Sequence, residues 1–280
     1  MGSETGGLAA SSPQKGVTMT GMMDRTLTRA SLIRGGAAAG VGIAVGGLMG
    51  VAPSFASGAT QDDVDILIAA EIAEALAVTT YTNIIFNAPF FTRLASDDQG
   101  YLRAARQEEM SHYLLEKSAT GKDSPYTAFF YPHHMFHNAR VTLNTLVSLE
   151  DAFIAAYLVG VRDFSNADLR VTAARIMGIE SDHRTLARVV APGVAPRDGG
   201  PIERVKGIQG VRESVDPPNN NGYERTLGLT NISQAVDALL PFVDASAAAK
   251  AGFNTRRAFK FHPFTPHLPT ELGAFHSFAG

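Results

Sequence analysis

The chain has 280 residues, of which 45% are hydrophobic, 8% aromatic and 18% charged, and its formal net charge is -3. This apolar content is enough for the core of one large domain or two small ones, and the weak negative charge argues against a nucleic-acid partner. The absence of cysteine excludes disulfides, cysteine-ligated zinc or iron–sulfur sites, c-type haem attachment and a thiol nucleophile.

Residues 1–56 are predicted to be an export signal peptide. Arg25, Arg29 and Arg34 precede a weakly apolar run, and Ser54-Phe55-Ala56 then offers a small-x-small cleavage site. The segment around Arg29 is similar to a twin-arginine motif, although one arginine of the pair is missing. We therefore expect the export machinery as a partner and a periplasmic, extracellular or cell-envelope location. An uncleaved anchor and an unstructured tail stay open as alternatives.

Apolar residues at three- and four-residue steps predict four long helices within residues 57–192. These helices span about 62–86, 96–117, 139–163 and 167–190. Ser96-Asp97-Asp98-Gln99 predicts a capping box at the start of the second helix. The connector 118–138 is long for adjacent antiparallel helices and suits a crossover along a bundle. The sequence therefore predicts an all-α four-helix bundle of two helical hairpins joined by a long crossover.

The predicted helices carry acidic and imidazole side chains on their apolar faces. The pattern reads Glu, Glu-x-x-His, Glu, Glu-x-x-His, and its members are Glu74, Glu109, His112, Glu150, Glu180 and His183. Residues i and i+3 lie on one face of a helix about one turn apart, so a Glu-x-x-His pair can bind one ion or bridge to a second. In this order a four-helix bundle presents four carboxylates and two imidazoles to two metal ions.

The charge of this set also favours metal. Four buried carboxylates without a counterion would each cost several kcal/mol, or their pKa values would rise until most were protonated. The sequence therefore predicts two divalent ions, Fe or Mn, as cofactors, because carboxylate-plus-imidazole sites suit both metals. Glu109 and Glu180 are expected to bridge the ions, and the other four residues are expected to be terminal ligands. The alternative is that these glutamates face solvent and that the pattern is accidental.

Three further glutamates, Glu71, Glu108 and Glu116, lie on the same helices and compete for these roles. Glu71 lies three residues before Glu74, so either could face the bundle interior. We prefer Glu74 because the residues that flank it on the same helical face are apolar or aromatic.

The two halves of the predicted bundle resemble each other. In each half a tyrosine follows the single glutamate by seven residues, giving Tyr81 after Glu74 and Tyr157 after Glu150. Each tyrosine is either a core aromatic with a satisfied hydroxyl or a catalytic electron or hydrogen-bond donor near the metal.

Residues 193–280 predict a loop-rich C-terminal extension. Gly, Pro and Asn are frequent up to about residue 230, which indicates loop. One short helix is predicted near 231–251, interrupted at Pro241. The tail from Phe253 onward is expected to wrap over the bundle.

These residues resemble the ferritin-like superfamily and, most closely, the exported ferritin-like family that includes desiccation-related proteins. The similar passages are Phe130-Tyr131-Pro132, the segment from Thr145 to Tyr157 and the segment from Ala173 to His183. The resemblance covers about residues 62–192. It implies a di-iron or di-manganese centre held by the six residues of the Glu and Glu-x-x-His pattern. Members of the family often have a second acidic residue three positions after the first-helix glutamate, and here that position is Ala77.

The expected function is an exported dimetal-carboxylate protein that consumes a small-molecule oxidant, peroxide or O₂, in stress protection. Manganese catalase-like activity is a narrower version of the same hypothesis. The alternative is a non-catalytic desiccation- or stress-related structural protein in which metal only stabilises the bundle. A homodimer is compatible with these observations. An iron-storage cage is disfavoured, because the export signal and the long tail would obstruct a closed shell.

Overall fold

The computed structural model describes residues 60–190 and 228–267. The described residues are mostly helical, which confirms the predicted fold class. The predicted signal peptide, most of the predicted loop up to residue 230 and the end of the tail from residue 268 lie outside the described residues.

Four long helices form two hairpins. Their bounds are Gln61–Asn87 (α1), Ser96–Thr120 (α2), Ala139–Asp163 (α3) and Ala167–Val190 (α4). α1 packs on α2 and α3 packs on α4, and the hairpins meet through contacts of α1 with α3 and of α2 with α4. The segment between α2 and α3 is the predicted crossover.

The start of α2 differs from the prediction. Ala95 occupies the N-cap position without a side-chain cap, and Ser96 is already the first helical residue. The predicted capping box was therefore wrong. The Gln99 side chain donates to the carbonyl of Leu94 at 2.9 Å, so its amide reaches past the first helical residue to the preceding segment.

The crossover is more regular than the sequence indicates. It contains a strand, Ala128–Pro132 (β1), which pairs antiparallel with a strand of the C-terminal extension, Phe253–Lys260 (β2). Phe129 pairs with Phe259 and Tyr131 pairs with Asn254, with an irregular register between the two pairs. The pairing ties the crossover to the C-terminal extension.

The predicted C-terminal helix is two helices, Ile232–Val243 (α5) and Ala245–Lys250 (α6). Pro241 lies inside α5, so the interruption predicted there was wrong. The break falls at Asp244, whose carboxylate accepts a hydrogen bond from the backbone N–H of Ala247 at 2.7 Å and thereby caps α6.

The described residues of the tail after β2 lie along α2, whereas the sequence predicted only that the tail wraps over the bundle. The ring of Phe261 packs edge-on against Tyr113, with centroids 4.7 Å apart. The guanidinium of Arg106 lies 3.8 Å from the centroid of Phe264, and the backbone N–H of His267 donates to the Gln107 side chain at 2.9 Å.

The middle of α1 is enclosed by neighbouring helices. Every residue from Glu71 to Tyr81 is buried, because α2, α3 and α5 all contact this helix. Any carboxylate in the middle of α1 therefore faces protein rather than solvent.

Among the described helices, only α3 is long and apolar enough to cross a membrane by length and composition, and 56% of its most apolar window is buried inside the protein.

Candidate metal centre

The six residues of the Glu and Glu-x-x-His pattern meet inside the bundle. They form two groups, Glu74, Glu109, His112 and Glu180 in one and Glu109, Glu150, Glu180 and His183 in the other. Within each group, one oxygen or nitrogen atom per residue lies within 4.8 Å of all the others. Glu109 and Glu180 belong to both groups, which is the arrangement that bridging carboxylates need.

Both imidazoles turn their Nδ1 atoms toward these carboxylates. Nδ1 of His112 lies 3.2 Å from Glu180, 3.4 Å from Glu109 and 3.6 Å from Glu74. Nδ1 of His183 lies 3.0 Å from Glu109 and 3.3 Å from Glu180. The His112 side chain is 13% exposed, whereas the other five residues are at most 3% exposed.

The cluster contains buried polar atoms whose hydrogen-bonding capacity is unused. Among the described residues, one oxygen of each of the four carboxylates and one imidazole nitrogen have no hydrogen-bond partner: Glu74 Oε2, Glu109 Oε2, Glu150 Oε2, Glu180 Oε1 and His112 Nδ1. Such groups are uncommon in protein interiors and costly to leave unpaired. Divalent cations of the Fe and Mn class bind carboxylate oxygen and imidazole nitrogen together. The donor set is therefore compatible with a dimetal site.

The metal-free cluster is strongly perturbed electrostatically. Burial raises the pKa of Glu74 and Glu150 well above the usual range, and the neighbouring carboxylates raise both further. Burial alone would lower the pKa of His112 and His183, but Glu74 and Glu109, respectively, raise them well above the usual value. Burial alone would raise the pKa of Glu109, yet the neighbouring imidazoles of His183 and His112 lower it. Without metal, protons therefore balance the charge of the carboxylates.

The structure places both predicted tyrosines against outer carboxylates of the cluster. The Tyr81 hydroxyl donates to Glu150 Oε1 at 2.8 Å, and the Tyr157 hydroxyl contacts Glu74 Oε1. Each tyrosine hydroxyl thus contacts the glutamate carboxylate of the other half of the bundle. Burial raises the pKa of both phenols well above the usual value, so both are neutral donors. Both are core aromatics with a satisfied hydroxyl, and their catalytic role stays a prediction.

Glu108 has a contact that the sequence did not identify. Its carboxylate lies 2.8 Å from Nε2 of His183 and is 38% exposed. A carboxylate on the far nitrogen of an imidazole holds the ring in one orientation and leaves the other nitrogen for a metal. The sequence offered one sign of this contact, which is that Glu108 directly precedes Glu109. Consecutive helical residues point about 100° apart, so the two carboxylates can lie at the two nitrogens of the same imidazole ring.

Glu71 and Glu116 are buried as well, at 0% and 2% exposure. Glu71 accepts a hydrogen bond from Thr120 at 3.2 Å, and Glu116 accepts one from Tyr157 at 2.6 Å. Burial raises the pKa of Glu71 to about 8 and that of Glu116 well above the usual range. Neither belongs to the two groups of the cluster, so the preference for Glu74 over Glu71 agrees with the geometry.

Residues 62–191 match the family described as the ferritin-like domain. The match spans nearly all of α1 to α4. No curated protein matches the chain. The match supports the ferritin-like superfamily, while the resemblance to exported, desiccation-related proteins stays a prediction.

Proposed function

We propose that this ferritin-like domain is a dinuclear metal-carboxylate oxidoreductase that holds two Fe or Mn ions and consumes peroxide or O₂. The observation that carries the proposal is the pair of buried Glu/His groups that share Glu109 and Glu180. A site for one ion would need a single group, whereas two groups with shared carboxylates match the donor set of a dinuclear centre in a four-helix bundle.

The proposed ligand roles follow from the membership of the two groups. Glu74 and His112 would hold one ion, and Glu150 and His183 would hold the other. The shared carboxylates would bridge the two ions. Four carboxylates and two divalent ions balance in charge, so bound metal removes the electrostatic cost of the buried acids.

Two metal ions would supply the electrons, and the chain supplies orientation and a dry environment. Reduction of H₂O₂ to two H₂O, or of O₂ to H₂O₂, takes two electrons and two protons, and repeated turnover needs an external reductant that would return the two electrons to the bound metal. The Tyr81 hydroxyl holds the carboxylate of Glu150, and the Tyr157 hydroxyl holds that of Glu74. Glu108 orients the ring of His183. Burial of the cluster excludes bulk water and strengthens each of these interactions.

The proposed setting is stress protection outside the cytoplasm. Its support is the basic and apolar character of residues 1–56 and the similarity to exported, desiccation-related proteins. Manganese catalase-like disproportionation of peroxide, which converts two H₂O₂ into two H₂O and O₂, is a narrower form of the same activity.

A non-catalytic function is the second candidate. Its support is the enclosure of the cluster, since five of its six residues are at most 3% exposed. In that case the metal would only stabilise the bundle, and the protein would act as a stress-related structural protein.

Anaerobic loading with Fe(II) or Mn(II), followed by metal analysis and assays of peroxide and O₂ consumption, tests the proposal. We expect about two ions per chain and, with an external reductant such as ascorbate in the assay, turnover of at least one oxidant; disproportionation of peroxide would need no reductant. Glu109→Ala should lose both metal and turnover, because this carboxylate belongs to both groups. Asp168→Ala, an exposed acid on α4, is the matched control and should retain both.

Less than about one ion per two chains in the loaded protein would overturn the dimetal proposal. Two ions without consumption of either oxidant would favour the structural function. Turnover that Glu109→Ala abolishes and Asp168→Ala preserves would exclude the structural function.

A further inference from the structure

The two strands β1 and β2 lie in segments that contain no acidic residue. Residues 124–140 and 245–267 include neither Asp nor Glu, although the whole chain has 27 acidic residues and a net charge of -3. Every basic and imidazole side chain of the two segments is exposed, and these side chains are His133, His134, His137, Arg140, Lys250, Arg256, Arg257, Lys260, His262 and His267. Positive charge is therefore segregated on two segments of an otherwise acidic chain.

Strand pairing brings the two segments together. Lys260 lies opposite Ala128 at one end of the sheet, and Phe253 lies opposite Pro132 at the other end. The helix α6 ends at Lys250 and contacts both strands. At about 3.3 Å per residue, the paired region and its ends extend over about 15 Å. The exposed side chains along it are called the basic surface and are His133, His134, Lys250, Arg256, Arg257 and Lys260.

The middle of the basic surface is looped out of the sheet. Between the pair Phe129–Phe259 and the pair Tyr131–Asn254, β1 has one residue and β2 has four. All four are exposed, and they are Thr255, Arg256, Arg257 and Ala258. The Asn254 side chain accepts a hydrogen bond from the backbone N–H of Arg256 at 3.0 Å, which closes a turn at the start of the loop. This β-bulge therefore presents two adjacent guanidinium groups on a convex projection.

The aromatic rings next to the bulge are engaged within the protein. The ring of Phe259 packs against Tyr131 and Phe136, with centroids 5.3 and 5.1 Å apart, and the guanidinium of Arg257 lies 4.6 Å from its centroid. Proteins that hold single-stranded nucleic acids combine a basic groove with aromatic rings on which bases stack. A convex basic surface whose nearest rings are engaged does not suit such a ligand.

A flat array of phosphates suits the basic surface better. Guanidinium groups bind phosphate oxygens through two parallel hydrogen bonds. A bilayer that contains anionic lipids presents phosphates over a wide area, so basic side chains spread over about 15 Å can all be attracted at once. A projecting bulge can also reach the headgroups, whereas a linear polymer is held in a groove that follows its backbone.

We propose that the basic surface docks this protein on a membrane that contains anionic phospholipids. The contact is peripheral and electrostatic, with the two arginines of the bulge at its centre. Each Lys or Arg close to an anionic bilayer strengthens binding by about fivefold. Raising the ionic strength from about 0.1 M to about 1 M shortens the Debye length from about 10 Å to about 3 Å, so binding should be lost at high salt.

Flotation of the full-length protein with vesicles tests the proposal. One set of vesicles contains phosphatidylcholine alone, and the other is an equimolar mixture of phosphatidylcholine and phosphatidylglycerol. We expect much tighter binding to the anionic vesicles at about 0.1 M salt and release at about 1 M. Metal-free and metal-loaded protein should bind alike, because none of the basic surface belongs to the metal cluster.

Two double variants remove charge from the basic surface. Arg256→Ala with Arg257→Ala, and independently Lys250→Ala with Lys260→Ala, should each weaken binding to anionic vesicles by about 10- to 30-fold. All four side chains are exposed, so both variants should fold, and the thermal midpoint verifies this. Should one variant fail to fold, the other one decides.

The matched control removes the same charge elsewhere. Arg103 and Arg175 are exposed on α2 and α4. Arg103→Ala with Arg175→Ala lowers the net charge as much as either basic-surface variant, yet it should keep vesicle binding within about twofold of the wild type. Binding that falls equally in the control would show that net charge alone attracts the protein, which would overturn the proposal.

Three further outcomes would overturn the membrane proposal. They are equal affinity of the wild type for neutral and anionic vesicles, wild-type affinity in both basic-surface variants, and tighter binding to soluble polyphosphate or duplex DNA than to anionic vesicles. Each of these outcomes leaves the proposed function intact, because metal loading and oxidant turnover are measured without lipid. A protein that binds no metal but binds anionic vesicles through the basic surface would overturn the proposed function alone.

Discussion

The two halves of the bundle present equivalent donors in different surroundings. Four positions correspond between the hairpins α1–α2 and α3–α4, namely Glu74 with Glu150, Tyr81 with Tyr157, Glu109 with Glu180 and His112 with His183. Each tyrosine contacts the glutamate of the other hairpin. The halves are therefore interlocked at the cluster, and neither half contains a complete set of donors.

The surroundings of the cluster break this symmetry. Seven residues after the Glu of the Glu-x-x-His motif, the first half has Glu116 and the second has Ala187, and both are buried. Three residues before the single glutamate, the first half has Glu71 where the second has Val147. The excess of buried acid in α1 and α2 shows that a repeated ligand pattern does not produce two equivalent halves. We expect the two metal positions to be inequivalent for the same reason.

The largest expected difference concerns the two tyrosines. Tyr157→Phe removes the hydroxyl that two buried carboxyl groups share as a hydrogen-bond partner, Glu74 and Glu116, whereas Tyr81→Phe removes the partner of Glu150 alone. A buried polar group without its partner costs about 1–3 kcal/mol. In the presence of a chelator, Tyr157→Phe should therefore lower the free energy of unfolding by about 1–3 kcal/mol more than Tyr81→Phe does. Urea denaturation of both variants measures the difference, and equal losses would contradict the asymmetry.

The next effect concerns the two histidines. Glu108 supports His183 through Nε2, whereas the described contacts of His112 all involve Nδ1. Carboxylates in this position change metal affinity by about 10- to 100-fold, so Glu108→Gln should weaken one of two binding steps by about tenfold. Calorimetric titration with Mn(II) resolves the two steps.

Asp182→Asn is the control for this prediction, because it removes the same charge from an exposed residue next to His183. It should leave both binding steps close to wild type. Equal weakening of both steps by Glu108→Gln would mean that Glu108 acts through its charge rather than through the ring of His183.

The smallest effect concerns the starts of the second helix in each hairpin. Asn166 accepts hydrogen bonds from the backbone N–H groups of Asp168 and Leu169 and so caps α4, whereas Ala95 leaves α2 without a side-chain cap. Asn166→Ala should destabilise the protein by about 1 kcal/mol, and Ala95→Ser should stabilise it by up to about 1 kcal/mol. Thermal denaturation measures both changes, and loss of stability in Ala95→Ser would show that α2 cannot use a cap.

The sequence alone was sufficient to predict the four long helices, their pairing into hairpins and the inward direction of the six donor side chains. The reason is local, because a helical period of 3.6 residues determines which side chains share a face, and i, i+3 spacing brings Glu and His together. The roles of these donors as metal ligands remain a prediction that the geometry supports.

Only the tertiary structure decided what covers each helical face. Glu71, Glu108 and Glu116 all lie on predicted helices, yet two are buried and one reaches the outer nitrogen of His183. The pairing of β1 with β2 joins segments more than a hundred residues apart, so no local pattern could predict it. Burial and pairing of this kind depend on contacts between distant segments, whereas the helical period describes only the direction in which a side chain leaves its own helix.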